Sequence, residues 1–144
     1  MSVLFRVELY VKDVDESMSF YQDIVGLELY GRGKRAARFN YDCFSLLLTS
    51  ESALGDNHYF NNKAKSDIKG NGFELIIVVD ELEKVYQRCL DNNYPIEVEV
   101  EKYPWDMRGF KVADPDGYFI RIISEWHLWK LVLKVIGARV EQEG

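Results

Sequence analysis

Between Val3 and Val11 the chain alternates apolar Val3, Phe5, Val7, Leu9 and Val11 with Leu4, Arg6, Glu8 and Tyr10. A period of two predicts a strand with one apolar face and one mixed face. The period then changes. Val14, Met18, Tyr21 and Val25 are spaced four, three and four, which predicts a helix to about Val25 with those residues buried. Asp13 with Glu16 fits a capping box at its start, and Gly26 stops it. Three short strands are predicted next, at about Leu27–Tyr30, Arg35–Asn40 and Cys43–Thr49. From Glu51 to Gly72 the chain is polar. Its middle, Asn57-His58-Tyr59-Phe60-Asn61-Asn62-Lys63, has little period and reads as a linker or flap.

The pattern then repeats. Phe73–Val79 reads as a strand, and Asp80 to about Asn92 as a helix with Leu82, Val85, Tyr86 and Cys89 buried. Asp80 and Glu83 form a second capping pair. Strands follow near Ile96–Glu101, Gly109–Ala113 and Tyr118–Ser124. Asp114-Pro115-Asp116-Gly117 is a turn in which Pro sets one φ and Gly takes the positive one. The two Asp caps align at an offset of 67, the apolar helix positions at 68. Core burial outweighs a cap, so the offset is 68, and Arg6 corresponds to Glu74. The fold class is therefore α+β: two βαβββ modules, about 1–50 and 72–125, in one domain over residues 1–125. They are expected to form one curved sheet whose apolar side meets the helices. Its other side, with Arg6, Glu8, Tyr10 and Glu74, would line a concavity.

Residues 126–144 are expected to add a C-terminal helix and tail. Trp126, Leu128, Trp129, Leu131, Val132, Leu133, Val135 and Ile136 leave only His127, Lys130 and Lys134 as a polar stripe. Such a helix must be covered by its own domain or by a second subunit.

Composition narrows the function classes. With 144 residues, 47% of them hydrophobic, the chain can bury a core as one domain. A net charge of −6 argues against non-specific nucleic-acid binding. No apolar run reaches the roughly 20 residues of a membrane span. No signal-peptide layout opens the chain, so a cytoplasmic location is expected. Cys43 and Cys89 are far apart and read as reduced core thiols.

With these pieces in order, the sequence resembles the vicinal oxygen chelate superfamily, the glyoxalase, bleomycin-resistance and extradiol-dioxygenase group. The resemblance rests on Val11-Lys12-Asp13-Val14-Asp15-Glu16-Ser17-Met18-Ser19-Phe20-Tyr21 with Val25-Gly26-Leu27-Glu28-Leu29, then on Phe73 to Tyr86. Strongest is Pro104-Trp105-Asp106-Met107-Arg108-Gly109-Phe110 running into Asp114-Pro115-Asp116-Gly117-Tyr118-Phe119-Ile120-Arg121. It implies a homodimer and a divalent metal held by His and Glu on the concave face. The ligand places it implies hold Arg6, Glu74, Leu47 (with Ser45 as neighbour) and Arg121. Arginine stays protonated and leucine has no lone pair, so neither can ligate. No metal and no cofactor is therefore expected.

Arg6, Glu74 and Arg121 would then form a charge cluster where the metal would sit. That cluster is either a structural salt bridge or a clamp whose spare arginine takes a carboxylate or phosphate. Phe39, Tyr41, Tyr59, Phe60, Tyr103 and Trp105 are candidate walls around the cleft, with Trp105 a ring that could stack on a flat ligand. His58 reads as a surface or flap residue. The expected ligand-binding set is Arg6, Glu8, Phe39, Tyr41, Glu74, Trp105 and Arg121. The expected function is metal-independent binding of a small planar or aromatic ligand, anionic or not. The alternative is a glyoxalase-like lyase, isomerase or dioxygenase with a displaced metal site built from Glu8, Glu74 and His58.

Overall fold

A computed structural model describes residues 4–61, 69–104 and 107–124. The expected helix over 126–144, the middle of the polar stretch at 62–68 and Trp105 lie outside the described residues. The chain divides into two compact units, Met1–Phe73 with Ala113–Tyr118, and Glu74–Val112 with Phe119–Gly144.

In the first unit four strands form one sheet: β1 (Phe5–Val11), β2 (Gly31–Arg32), β3 (Ala36–Tyr41) and β4 (Phe44–Ser50), in the order β1-β4-β3-β2. β1 runs parallel to β4; β3 is antiparallel to both β4 and β2. The helix α1 (Val14–Ser19) continues into a π-helical stretch, Phe20–Val25. Asp13 caps α1 as expected: its carboxylate accepts from the N–H groups of Asp15 and Glu16 at 2.9 and 3.1 Å. Gly26 ends the helix at φ 91°, a left-handed position suited to glycine.

Two local expectations change here. Met18 is only half-buried, and Ser17 takes the inner place, where its hydroxyl donates to Asp116 at 3.2 Å. The π-helical stretch buries the adjacent pairs Phe20–Tyr21 and Ile24–Val25. The strand expected at Leu27–Tyr30 forms instead at Gly31–Arg32. Leu27 N–H is held by the Tyr21 carbonyl and Glu28 N–H by the Tyr41 hydroxyl, so this stretch belongs to the helix exit rather than to the ladder.

The core of the unit lies on the face of the sheet toward α1: Leu9, Val11, Tyr21, Ala37, Phe39, Leu46 and Leu48 are buried. Each large apolar side chain buried there contributes about 1.5–3 kcal/mol. The Asp114–Gly117 turn forms as predicted. Gly117 N–H donates to the Asp114 carbonyl at 2.9 Å, and Gly117 has φ 87°.

The second unit holds β5 (Glu74–Val78), α2 (Leu82–Asp91), β6 (Val98–Tyr103), β7 (Met107–Ala113) and β8 (Phe119–Ser124), with strand order β5-β8-β7-β6. Again the first and last strands run parallel. Leu82, Val85 and Cys89 of α2 are buried with Leu75, Phe110, Val112, Ile120 and Ile122. Tyr86 is half-buried, its ring edge-on to Phe110 at 5.3 Å. The expected Asp80–Glu83 capping pair does not form. Glu81 occupies the cap and gives the backbone no side-chain hydrogen bond. At Gly109 a Cβ would lie 2.7 Å from the Ile122 carbonyl oxygen, so β7 needs glycine there.

Each half is thus a βαβββ module with a mixed four-stranded sheet, and the class is α+β. Leu9 and Val11 are buried on β1 while Arg6 and Glu8 are exposed; Leu75 is buried on β5 while Glu74 and Ile76 are not. An offset of 67 would reverse the faces, so the alternation agrees with 68. Both cysteines are free, but only Cys89 is a core thiol; Cys43 is exposed, just before β4. Burial raises the Cys89 thiol to about 11, which leaves it unreactive.

Candidate functional site

Strand pairing fixes what faces away from α1 in the first unit. β1 offers Arg6, Glu8 and Tyr10; β4 offers Ser45, Leu47 and Thr49 beside them; β3 offers Asn40, Arg38 and Ala36 beyond. A cavity of about 500 Å³ opens along the edge strand β1, lined by Glu8, Tyr10, Phe60, Lys69, Phe73 and Tyr118 among others. Its size and aromatic lining suit a small organic molecule.

One wall is an aromatic cluster. The Tyr10 ring lies 5.3 Å from His58, edge-on, and 5.8 Å from Phe60. Phe60 N–H donates to His58 Nδ1 at 3.1 Å, so in the neutral ring the proton sits on Nε2, 3.3 Å from the Tyr10 hydroxyl. Burial, then the negative charge of Glu8 and a hydrogen bond with it, hold the Tyr10 phenol above its ordinary range. Tyr10 is therefore a neutral O–H donor at neutral pH. Glu8 also accepts from Thr49 Oγ1 at 2.7 Å. His58 is exposed, as expected, but it braces the cavity wall.

Beneath the cavity is a buried polar network. Lys69 Nζ donates to the Tyr10 carbonyl at 3.2 Å, to Glu51 at 2.7 Å and to Asp116 at 3.0 Å. Three donors meet three acceptors, so this ammonium is saturated. Asp116 also accepts from Lys12 N–H at 2.8 Å. Tyr118 donates its O–H to the Tyr10 carbonyl at 3.0 Å, and burial, followed by the charges of Asp114 and Asp116, raises it to about 12. Gly70, at φ 70°, admits the Tyr118 ring: a Cβ there would come within 2.5 Å of it. Asp114 accepts from the Tyr21 hydroxyl at 2.7 Å and from two backbone N–H groups, yet burial dominates and raises its carboxyl to about 6.

The profile of the Glyoxalase/Bleomycin resistance protein/Dioxygenase superfamily matches residues 3–122. The chain belongs to this superfamily. Among solved structures, a lactoylglutathione lyase from Agrobacterium tumefaciens aligns at 21% identity and TM-score 0.65, over 90% of this chain and 97% of its own. A glyoxalase-related enzyme from Fulvimarina pelagi aligns at 18% identity and TM-score 0.69, over 87% and 89%. A glyoxalase/bleomycin resistance protein/dioxygenase from Nocardioides aligns at 19% and 0.65, over 87% and 84%. At these identities they share the fold. A search of curated proteins finds no match.

The superfamily's metal can be tested against the residues present. Glu8 pairs with Leu47 across β1 and β4, and Ile76 with Arg121 across β5 and β8. Leu47 and Arg121 therefore occupy equivalent places in the two sheets, as the resemblance assigns them. Arg121 grips Glu74 bidentately, Nε to Oε1 at 2.8 Å and Nη2 to Oε2 at 3.0 Å. This contact holds the Glu74 carboxyl below its ordinary range and raises Arg121. Both oxygens of the one carboxylate at those places face a cation, and the other places carry no donor. Among the described residues no three His, Cys, Asp or Glu side chains converge. These residues do not fit the divalent ion.

The expected site residues fall in both units. Glu8 lines the cavity. Arg6 is exposed on β1 opposite Ser45. Glu74 and Arg121 neutralise each other in the second unit. Phe39 is fully buried, 6.2 Å from the Tyr21 ring, and belongs to the core rather than to a ligand wall. Tyr41 shares its side of β3 and braces Glu28 N–H at 3.0 Å. Phe39 and Tyr41 lie on the same side because odd-numbered residues of β3 face α1. The sequence reading also missed Lys69, Tyr118 and Arg38. Alternation along β3 pointed to Arg38; Lys69 gave no signal, because its partner Asp116 lies far along the chain. No helix among the described residues is long and apolar enough to cross a membrane.

Proposed function

We propose that this superfamily member binds a small planar or aromatic molecule in the first unit's cavity, without a metal, in the manner of bleomycin-resistance-type members. The observation that carries this reading is the cavity of about 500 Å³ bordered by Tyr10, Phe60, Phe73 and Tyr118. Aromatic faces supply affinity for a flat ligand, and the Tyr10 hydroxyl with Glu8 supplies orientation. The cavity itself does not attract an anion: Lys69 is neutralised by Glu51 and Asp116, and Glu8 adds negative charge. A ligand of this kind must raise the melting temperature by mass action.

A thermal-shift panel of planar aromatics, quinoline and flavone among them, tests this with and without EDTA. Saturable stabilisation indifferent to EDTA is expected, with Phe60→Ala weakening binding about tenfold at an unchanged melting temperature of the free protein. A stoichiometric divalent ion that copurifies, and whose removal abolishes binding, would reject the reading. The same metal analysis decides the second reading, a glyoxalase-like enzyme with a displaced metal. That reading draws on the contact of His58 with Tyr10, which is hydrogen-bonded to Glu8. Against it, Arg121 engages both oxygens of Glu74.

A further inference from the structure

The open face of the first sheet carries a second cavity, a shallow groove of about 330 Å³ lined by Tyr30, Gly31, Ala36, Arg38 and Leu47 among others. It continues the row that begins at Glu8. Glu8 pairs with Leu47, Leu47 with Arg38, and Arg38 with Gly31. Paired residues share a face, and adjacent strands lie about 4.8 Å apart, so Glu8 and Arg38 stand about 10 Å apart at the backbone with Leu47 between them.

The cations around these cavities differ in what they already hold. Lys69 is saturated. Arg32 binds Asp15 at 2.9 Å and also donates to the carbonyls of Gly33 and Ala36. Arg38 is half-buried and, among the described residues, its guanidinium makes no hydrogen bond or ion pair. A half-buried guanidinium with open donors suits a planar anion, which it can meet with two parallel N–H bonds. Space for one exists: Gly31 has nothing within 4 Å of where a Cβ would be, and Ala36 is small. Arg6 is exposed and lines neither cavity.

We infer that this face takes a two-ended ligand, with an amine or other donor group at Glu8, a carboxylate at Arg38 and an apolar middle over Leu47. The inference rests on the cavity reading above and names the ligand's chemistry. It also places the anion that the cavity beside Tyr10 does not attract.

Calorimetry with 4-(aminomethyl)benzoate, and with benzylamine and benzoate as one-ended controls, tests it. The two-ended probe should bind at least tenfold tighter than either control. Arg38→Gln should reduce it to the affinity of benzylamine and leave benzylamine itself unchanged. Glu8→Gln should reduce it to that of benzoate. Ala36→Leu, which fills the groove, should act like Arg38→Gln; the Arg38 guanidinium has no partner among the described residues, so neither change should disturb folding. Equal affinity of 4-(aminomethyl)benzoate and benzylamine, or no effect of Arg38→Gln, overturns the inference. If benzylamine still binds in a Phe60-dependent way in that case, the cavity reading survives; if none of the aromatics binds, both fall.

Discussion

The two sheets share strand order and pairing but treat charge in opposite ways. In the second, Glu74 and Arg121 sit one strand apart and close on each other. In the first, Glu8 and Arg38 sit two strands apart, with Leu47 in the strand between. Leu47 and Arg121 hold the equivalent position, and Glu74 stands where the first unit has Arg6, so two positions together let the second sheet neutralise a carboxylate from within. The first unit also pairs charge deep inside, at Lys69 and Asp116, both about 2% exposed in their side chains. A duplicated module thus supplies two similar frames, and the side chains on the first and last strands set how each frame pairs its charges.

That contrast can be broken at its buried end. Asp116→Ala leaves the Lys69 ammonium without a principal counter-charge and should cost about 3–5 kcal/mol in urea unfolding. Glu74→Gln in the partly exposed pair should cost about 1 kcal/mol or less. Equal costs would remove the distinction between the two units.

Asp114 sharpens the comparison through pH. Its folded carboxyl is raised to about 6, above the ordinary carboxylate value, so the fold favours its protonated form. The stability it contributes is fully present below about pH 4 and is lost as pH rises through about 6, up to about 3 kcal/mol. Glu74 is lowered, so its contribution has the opposite sign: present above the ordinary carboxylate range and lost as pH falls. The stability of the wild type relative to Asp114→Asn should therefore fall between pH 4 and 7. A flat difference would show that Asp114 does not titrate as its burial implies.

The helix caps give the smallest contrast. Asp13→Ala should destabilise the protein by about 1 kcal/mol, because two backbone N–H groups lose their acceptor. Glu81→Ala should change little, since the Glu81 side chain accepts no backbone N–H of α2. Chemical denaturation of the two variants side by side checks both.

The residue pattern alone determined the module. Alternation along β1, the spacing in both helices, Asp13, Gly26 and the Asp114–Gly117 turn are local features, and each acts through backbone geometry within a few residues. The resemblance to the superfamily, rather than the pattern, assigned Arg6, Leu47, Glu74 and Arg121 to the expected metal-ligand places. Only the tertiary structure decided which charges remain available. Lys69 meets Asp116 from 47 residues away, and Tyr10 meets Tyr118 from 108. Phe39 turned inward and Arg38 outward because the register of β3 on β4 set the face. Such pairings depend on strand order and on desolvation at a place the chain reaches only after folding, and no local period encodes them.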